Sequence, residues 1–501
     1  MRALVLGAVV AVSAVVAILL HRSGHTQGDD FALYLRQARS IFDGDSAAVV
    51  ADNRFAVLNS DRGFSPLAYP WGWPLVLAPF VHLWGLDFDR LKLIEVAIWC
   101  TWLVLLHGII RRRAGRAMAL GVVAVIGSAP LYLAHTDQLI TEFPHIAAVA
   151  VVIWWYDRIT AGSALIDASP RRLAILGVLV AVAFNMRREG AVLIGMIAVV
   201  QFFELMARSR AQRWSVSGLE AELRARWRAV ATPHVSFALS MLLFQLLLPT
   251  MLLPDNGNSR RYIDDRFGDY ASTLTEQLGL GTHPALGGAI MAIAFIGAVI
   301  GVRRRPALDG PIVVVAVLSA LAISTHFRMV DRYWFQITPW VLYFAAVAFS
   351  EALRMIVTQR TRLAAVAVVP LAVLVVVHVV ALPDDIGRAR DFNAAGRVQI
   401  GPANPDVIPI FEAVNARTPP TAVIAYFRAR TMTLMTDRRS IQTSSLTKMQ
   451  VRADYYAQRI GEDYWQPQIT RAEGLDLGFE IVWSDSRWIL WKLVAPEVTA
   501  G

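Results

Sequence analysis

Two adjacent carboxylates, Asp29 and Asp30, stand just beyond an apolar run that ends at Leu20. More charge recurs at the ends of later apolar runs. Asp137 and Glu142 lie in "HTDQLITEFPH", and Arg187, Arg188 and Glu189 in "NMRREG". Arg260, Arg261, Asp264 and Asp265 lie in "RRYIDD", and Arg328, Asp331 and Arg332 in "FRMVDRYW". A carboxylate takes a proton from an attacking hydroxyl. A guanidinium grips a phosphate through paired hydrogen bonds. Ionisable residues at span ends are costly unless paired or solvated, and they often mark a site. Together these residue types suit chemistry on a lipid phosphate.

Each group also has a plainer role. Asp29 and Asp30 could cap the helix expected from Phe31, since Asp is a good N-cap. Arg187 and Arg188 could reach to headgroups. Arg260 and Arg261 with Asp264 and Asp265 have the spacing of ion pairs along a helix face. Arg332 with Tyr333 and Trp334 could anchor at the interface. His21, His25 and Asp29 recur at helical spacing and would hold a divalent metal if the helix were continuous. Gly24 and Gly28 between them argue against that continuity. No nucleophile elbow, Walker loop, zinc-protease helix or dinucleotide fingerprint appears in usable context.

The elements that must position these groups follow from composition. The chain of 501 residues is 56% hydrophobic and 17% charged, whereas soluble domains carry about 25% charged residues. This points to a polytopic α-helical membrane protein. Its net charge of +9 does not mark a nucleic-acid binder, because the arginines cluster in short stretches between apolar runs. The single cysteine, Cys100, permits no disulfide within the chain.

A span takes roughly 20 apolar residues, and about eleven candidates begin near Ala3, Leu91, Ala117, Gln138, Leu173, Gly190, Val235, Gly287, Pro311, Tyr333 and Leu363. The first, "RALVLGAVVAVSAVVAILL", reads as an uncleaved span, although Ser13 and Ala14 keep a signal-peptide cleavage open. The stretch from Leu173 to Phe184 is short, and a broken helix or a merger with its neighbour stays open. The basic segments Arg111–Arg116, Asp157–Arg172, Arg208–Arg228, Arg303–Pro306 and Arg354–Arg362 then share one side, which positive-inside makes cytoplasmic. The Arg208–Arg228 segment reads as a surface helix on anionic lipid. The N-terminus falls inside and the C-terminus outside. The loop 21–90 and all the charged clusters above face outward, in the inner or plasma membrane of a cell.

"YPWGWPLVLAPFVHLWGL", Tyr69 to Leu86, is apolar but proline-rich, and reads as a segment in the outer interface with Trp71, Trp73 and Trp84 at headgroup level. From Pro383 the composition turns mixed. "TAVIAYF" and "RWILWKLV" read as strands, and "SLTKMQVRADYYAQRI" as a helix. The expected domains are a membrane module, residues 1–382, and a small soluble extracytoplasmic α/β domain, residues 383–501.

This layout resembles the GT-C glycosyltransferases, especially the protein mannosyltransferase and aminoarabinose transferase types. "GDDFALYLRQA" is similar to their acidic motif, and "YPWGWPLVLAPFVHLWG" to their proline-rich interfacial segment. "HTDQLITEFPHIAAVAV" resembles the entry to the fourth span, "NMRREGAVL" a recurrent Arg-Pro-Glu-Gly turn, and "DRYWFQITPWVLY" a late aromatic motif.

The resemblance implies a transferase that takes a sugar from a polyprenyl-phosphate donor on the outer face, with inversion. Asp29 would be the general base, and Asp30 would orient the acceptor or share that role. Arg187, Arg188 and Arg332 would meet the phosphate leaving group. Asp137 and Glu142 would line the sugar or acceptor pocket, and Tyr69 and Trp71 would pack against lipid or sugar. The acceptor would be a glycan, lipid or protein, with membrane lipids around it. No cofactor is required by the pattern, although a divalent metal at His21 and His25 stays open. The competing readings are a transporter or flippase of lipid-linked substrates, a non-catalytic scaffold, and a phosphoryl transferase acting on lipid phosphates. A transporter calls for polar groups near mid-membrane and paired half repeats, and neither stands out.

Overall fold

The computed structural model describes residues 2–61, 64, 66–67, 69–211, 216–249, 266–324, 330–355, 366, 368–461 and 466–494. Arg260, Arg261, Asp264, Asp265 and Arg328 lie outside the described residues. The chain divides into two compact units. Residues 1–21, 93–244 and 260–390 form one, and residues 22–92, 245–259 and 391–501 form the other. The loop expected to belong to the membrane module is thus grouped with the C-terminal residues.

The first unit is helical. It contains α1 (Arg2–Leu20), most of α5 (Phe88–Ala114), α6 (Arg116–Ser128), α7 (Pro130–His135), α8 (Glu142–Ile159), α9 (Pro170–Met186) and α10 (Ala191–Ala211). It continues through α11 (Val216–Leu247), α12 (Arg266–Gln277), α13 (Pro284–Arg304), α14 (Pro306–Ser324), α15 (Thr338–Arg354) and most of α16 (Val369–Ala394). The apolar runs read as spans overlap these helices, and the start of the last, near Leu363, lies outside the described residues. Among the described residues, 6 are long and apolar enough to cross a membrane by length and composition. The short Leu173 run is one continuous helix, α9.

Small residues let these helices touch. A Cβ built on Gly297 would lie 1.8 Å from the Phe344 carbonyl oxygen, so α13 meets α15 backbone to backbone. Buried polar groups fix the register. Ser13 of α1 donates to the Gly127 carbonyl at 2.6 Å and accepts from the Trp99 indole at 2.8 Å. Arg113, one of the basic run expected in a loop, turns inward at the end of α5. It forms a two-pronged pair with Asp157 at 2.6 and 2.8 Å and donates to the Leu308 carbonyl. Asp309 alongside accepts from Arg305 and the Tyr343 hydroxyl. Fully desolvated charges persist only when matched in this way.

The second unit holds α2 (Asp30–Asp43), α3 (Ser46–Asn59), α4 (Gly72–Trp84) and a five-stranded sheet. The strands are β1 (Val423–Ala425), β2 (Arg439–Ile441), β3 (Tyr455–Arg459), β4 (Glu480–Ser484) and β5 (Trp488–Lys492), in the order β2-β1-β3-β5-β4. β1 runs parallel to β2 and β3, while β5 is antiparallel to β3 and β4. Trp488 and Trp491, on opposite faces of β5, anchor two apolar cores. The two expected strands are β1 and β5.

The expected helix from Ser445 is shorter than read. It stops at Arg452, and "YYAQR" becomes β3, because the paired aromatics fit the pleated sheet beside Trp491 and Leu490. The expected headgroup position of Trp71 and Trp73, at the start of α4, is also corrected. Trp71 and Trp73 are fully buried, and the Trp71 indole donates to the Pro249 carbonyl at 2.7 Å. The proline-rich run spends these two tryptophans on packing.

Candidate active site

The acidic pair sits where loop becomes helix. Asp29 takes the N-cap position of α2, but its carboxylate makes no capping bond to that helix. It turns instead to the C-terminal part of the same unit. Asp29 Oδ1 accepts the main-chain N–H of Arg430 at 3.2 Å. The Gln442 amide, turned with its NH2 inward, donates to Asp29 Oδ2 at 3.2 Å and to the Phe427 carbonyl at 3.0 Å. Asp30 opens α2 and accepts the Tyr69 hydroxyl at 2.5 Å.

A short helix, Ala429–Thr436, brings Arg430 to this place. It packs on α2 and α3 and ends at Asp437, whose left-handed backbone (φ 55°) closes it. Asp tolerates that conformation better than most residues. Asp437 also pairs with Arg39 of α2. Thr431 Oγ1 donates to the Gly28 carbonyl at 2.8 Å, so the helix grips the chain on both sides of Asp29.

The Arg430 side chain is 4% exposed and lies between the rings of Phe64 and Tyr69, at 4.6 and 5.1 Å. Its Nε donates to Asn53 Oδ1 at 2.8 Å and its Nη2 to the Pro66 carbonyl at 3.0 Å. Its Nη1 reaches the Tyr69 hydroxyl at 3.4 Å and stands 3.6 Å from Asp30 Oδ1.

This environment separates the two carboxylates. Burial pushes the Asp29 carboxyl up from 3.8 to about 6, against the opposing pull of Arg430 and Arg428. The neighbouring charge of Asp30 adds to the rise. A carboxylate poised near neutral pH suits general-base work. Burial, reinforced by the Asp30 charge, holds the Tyr69 phenol well above its ordinary value, so it stays a donor.

A second cluster lies in the helical unit. Glu142 opens α8 and is 5% exposed. Its Oε1 accepts both Arg187 Nη1 and Arg332 Nε, each at 2.7 Å. Arg187 also donates to Glu189 Oε1 at 2.8 Å and to Thr141 Oγ1 at 3.1 Å, and it lies over the Tyr333 ring at 5.1 Å. Two arginines and two carboxylates therefore balance. Glu142 is committed to holding the arginines. Asp137 is buried in the turn before α8, and Arg188 is half-buried beside Glu189.

The remaining candidates disperse. Trp71 presents no ring face to a ligand, since it is fully buried. His21 Nε2 lies 3.2 Å from Thr136 Oγ1. His25 stacks on Phe31 at 4.0 Å, with Nδ1 on the Thr26 carbonyl, and burial lowers it to about 4. Among the described residues no group of three His, Cys, Asp or Glu could hold a metal. His21 and His25 with Asp29 therefore form no such centre, because the chain between them leaves the helix at Leu20.

Arg430, Asn53 and Gln442 were not legible as site residues. They sit in stretches that read as ordinary soluble chain, and no local pattern links them to Asp29.

No family model matches the chain, and no curated protein matches it. Solved structures do. ArnT from Cupriavidus metallidurans in the apo state aligns with a TM-score of 0.56 at 14% identity, covering 97% of both chains. ArnT bound to undecaprenyl phosphate gives 0.54 at 15%, covering 97% of this chain and 98% of that one. The Archaeoglobus fulgidus oligosaccharyltransferase tethered with an acceptor peptide gives 0.55 at 10%, covering 91% of this chain and 69% of that one. At such identities the likeness speaks for the fold alone: the chain shares the largely helical fold of these solved structures, completed by a small C-terminal sheet.

Proposed function

We propose that this protein transfers a sugar from a polyprenyl-phosphate donor to an acceptor hydroxyl, with inversion. Asp29 is the base. It takes the hydroxyl proton as that oxygen attacks the anomeric carbon. The bond from that carbon to the phosphate oxygen breaks, and polyprenyl phosphate leaves with the electron pair. Asp30, tied to Tyr69, orients the acceptor. Arg187, Arg188 and Arg332 receive the phosphate, with Glu142 keeping two of them in place until it arrives, and Asp137 lines the pocket. These arginines are assigned on their chemistry alone.

The observation that carries this reading is the acidic pair: Asp29 held by neutral donors with its carboxyl raised to about 6, beside an Asp30 engaged by Tyr69. The undecaprenyl phosphate in the ArnT structure, and the dolichol-phosphate in that of the archaeal oligosaccharyltransferase AglB, support the donor class. The distribution of arginines supports an active site and C-terminus outside the cell membrane, an N-terminus inside it, and a soluble part from residue 383 onward.

The test uses purified protein in lipid with a panel of polyprenyl-phosphate sugars, following release of polyprenyl phosphate and of glycosylated acceptor. Release by the wild type that collapses in Asp29→Asn supports the assignment. Equal turnover by both proteins overturns Asp29 as the base. Binding of the lipids without turnover by either would favour a transporter or scaffold.

A further inference from the structure

We propose that Arg430 is a positioning residue that assigns different roles to the two adjacent carboxylates, holding Asp29 by its main-chain N–H and Asp30 by its guanidinium with Tyr69. This rests on the transferase reading of the acidic pair. The guanidinium is already committed. Nε is on Asn53, Nη2 on the Pro66 carbonyl, and Nη1 toward Tyr69 and Asp30, with an aromatic ring on either side.

A planar fork held in this manner does not swing to a substrate, and it acts through what it holds. It fixes Tyr69, whose hydroxyl points its proton at Asp30. Asp30 is thereby occupied by a donor and a cation. Asp29 receives from the same residue only a neutral N–H, which any substitution except proline retains.

The groups around Asp29 are Arg430, Arg428, Asp30 and Tyr426, with neutral contacts from Gln442 and Thr431. The cations lower its proton affinity, and Asp30 raises it. Removing the Arg430 charge while leaving its N–H in place therefore makes Asp29 harder to ionise without releasing it. A side chain that merely packed would change the amount of folded protein and leave this titration alone.

The experiment is an infrared titration of full-length protein in lipid, read at the protonated-carboxyl band without donor or acceptor. In the wild type a band titrates near pH 6, and it is missing in Asp29→Asn. In Arg430→Gln its midpoint moves up by about one pH unit, and the acid limb of kcat/KM moves with it. An unchanged midpoint in folded Arg430→Gln overturns the proposal. Arg430→Lys keeps the cation but not the fork. It retains the wild-type midpoint while kcat falls about tenfold and KM holds, and it decides the matter if the glutamine variant does not fold. A lysine variant with wild-type kcat also overturns it. Because the band is read without substrate, a failure of sugar transfer defeats the function and leaves the Arg430 assignment to be judged by the titration.

Discussion

The two charged clusters treat their carboxylates in opposite ways. In the helical unit, Glu142 and Glu189 each meet an arginine head-on, and Glu142 meets two. In the other unit, Asp29 is partly buried yet is held by a main-chain N–H and a side-chain amide, neither of them charged. Matched pairs keep a carboxylate ionised and fixed, which suits a clamp. Neutral donors leave a buried carboxylate free to gain and lose a proton near neutral pH, which proton transfer demands.

The sharpest way to break this contrast is to remove charge from each side. Asp29→Asn should lower kcat by about 100-fold or more, the scale of a lost general base, with no loss of melting temperature. Glu142→Gln should do the reverse. It strips two half-buried arginines of their shared buried partner, and this costs stability, at most the about 3–5 kcal/mol of a fully buried pair. Thermal unfolding in lipid or detergent reads that loss. A Glu142→Gln protein as stable as the wild type would erase the distinction between clamp and base.

Smaller changes sharpen it. Tyr69→Phe removes the hydroxyl from Asp30 but keeps the ring against Arg430, and should cut kcat/KM about tenfold, the scale of one charge-assisted hydrogen bond. The pH profile is the gentlest probe. Turnover should fall as the pH drops through about 6, because Asp29 then carries a proton. Its effect on stability has the other sign. The folded-state value is raised, so the contribution is fully present below the ordinary 3.8 and is lost as pH rises through about 6. The melting temperature of Asp29→Asn relative to the wild type should therefore increase across that window. A gap that stays constant from pH 5 to about 8 would mean Asp29 ionises as an ordinary surface carboxylate.

Much of the helical unit was legible, because a membrane span declares itself by a long apolar run with arginines at one end. The acidic pair was legible for a related reason: charge beside such a run is conspicuous. Its surroundings were not. Arg430 meets Asp29 across 401 residues, and nothing in "RARTMTLMT" announces a buried guanidinium. Asn53 lies in α3, where it looks like any polar helix residue until Arg430 and the Pro66 and Leu67 carbonyls surround it. Trp71 misled in the other direction, since an aromatic beside prolines suits an interface as well as a core. Arg113 misled too, because a basic run reads as loop and only its third member turns inward. Pairing between distant segments depends on tertiary geometry, which local pattern does not carry.

The grip of Arg430 on Asp29 also sets a schedule for biosynthesis. Ribosomes add about 5–20 residues per second, so the sequence separation of 401 between the two takes about 20–80 s to make. For most of that interval the acidic pair and Tyr69 have been made and Arg430 has not. The nascent chain therefore carries the acidic pair without the residue that holds both of its members until synthesis has passed the sheet's first strand.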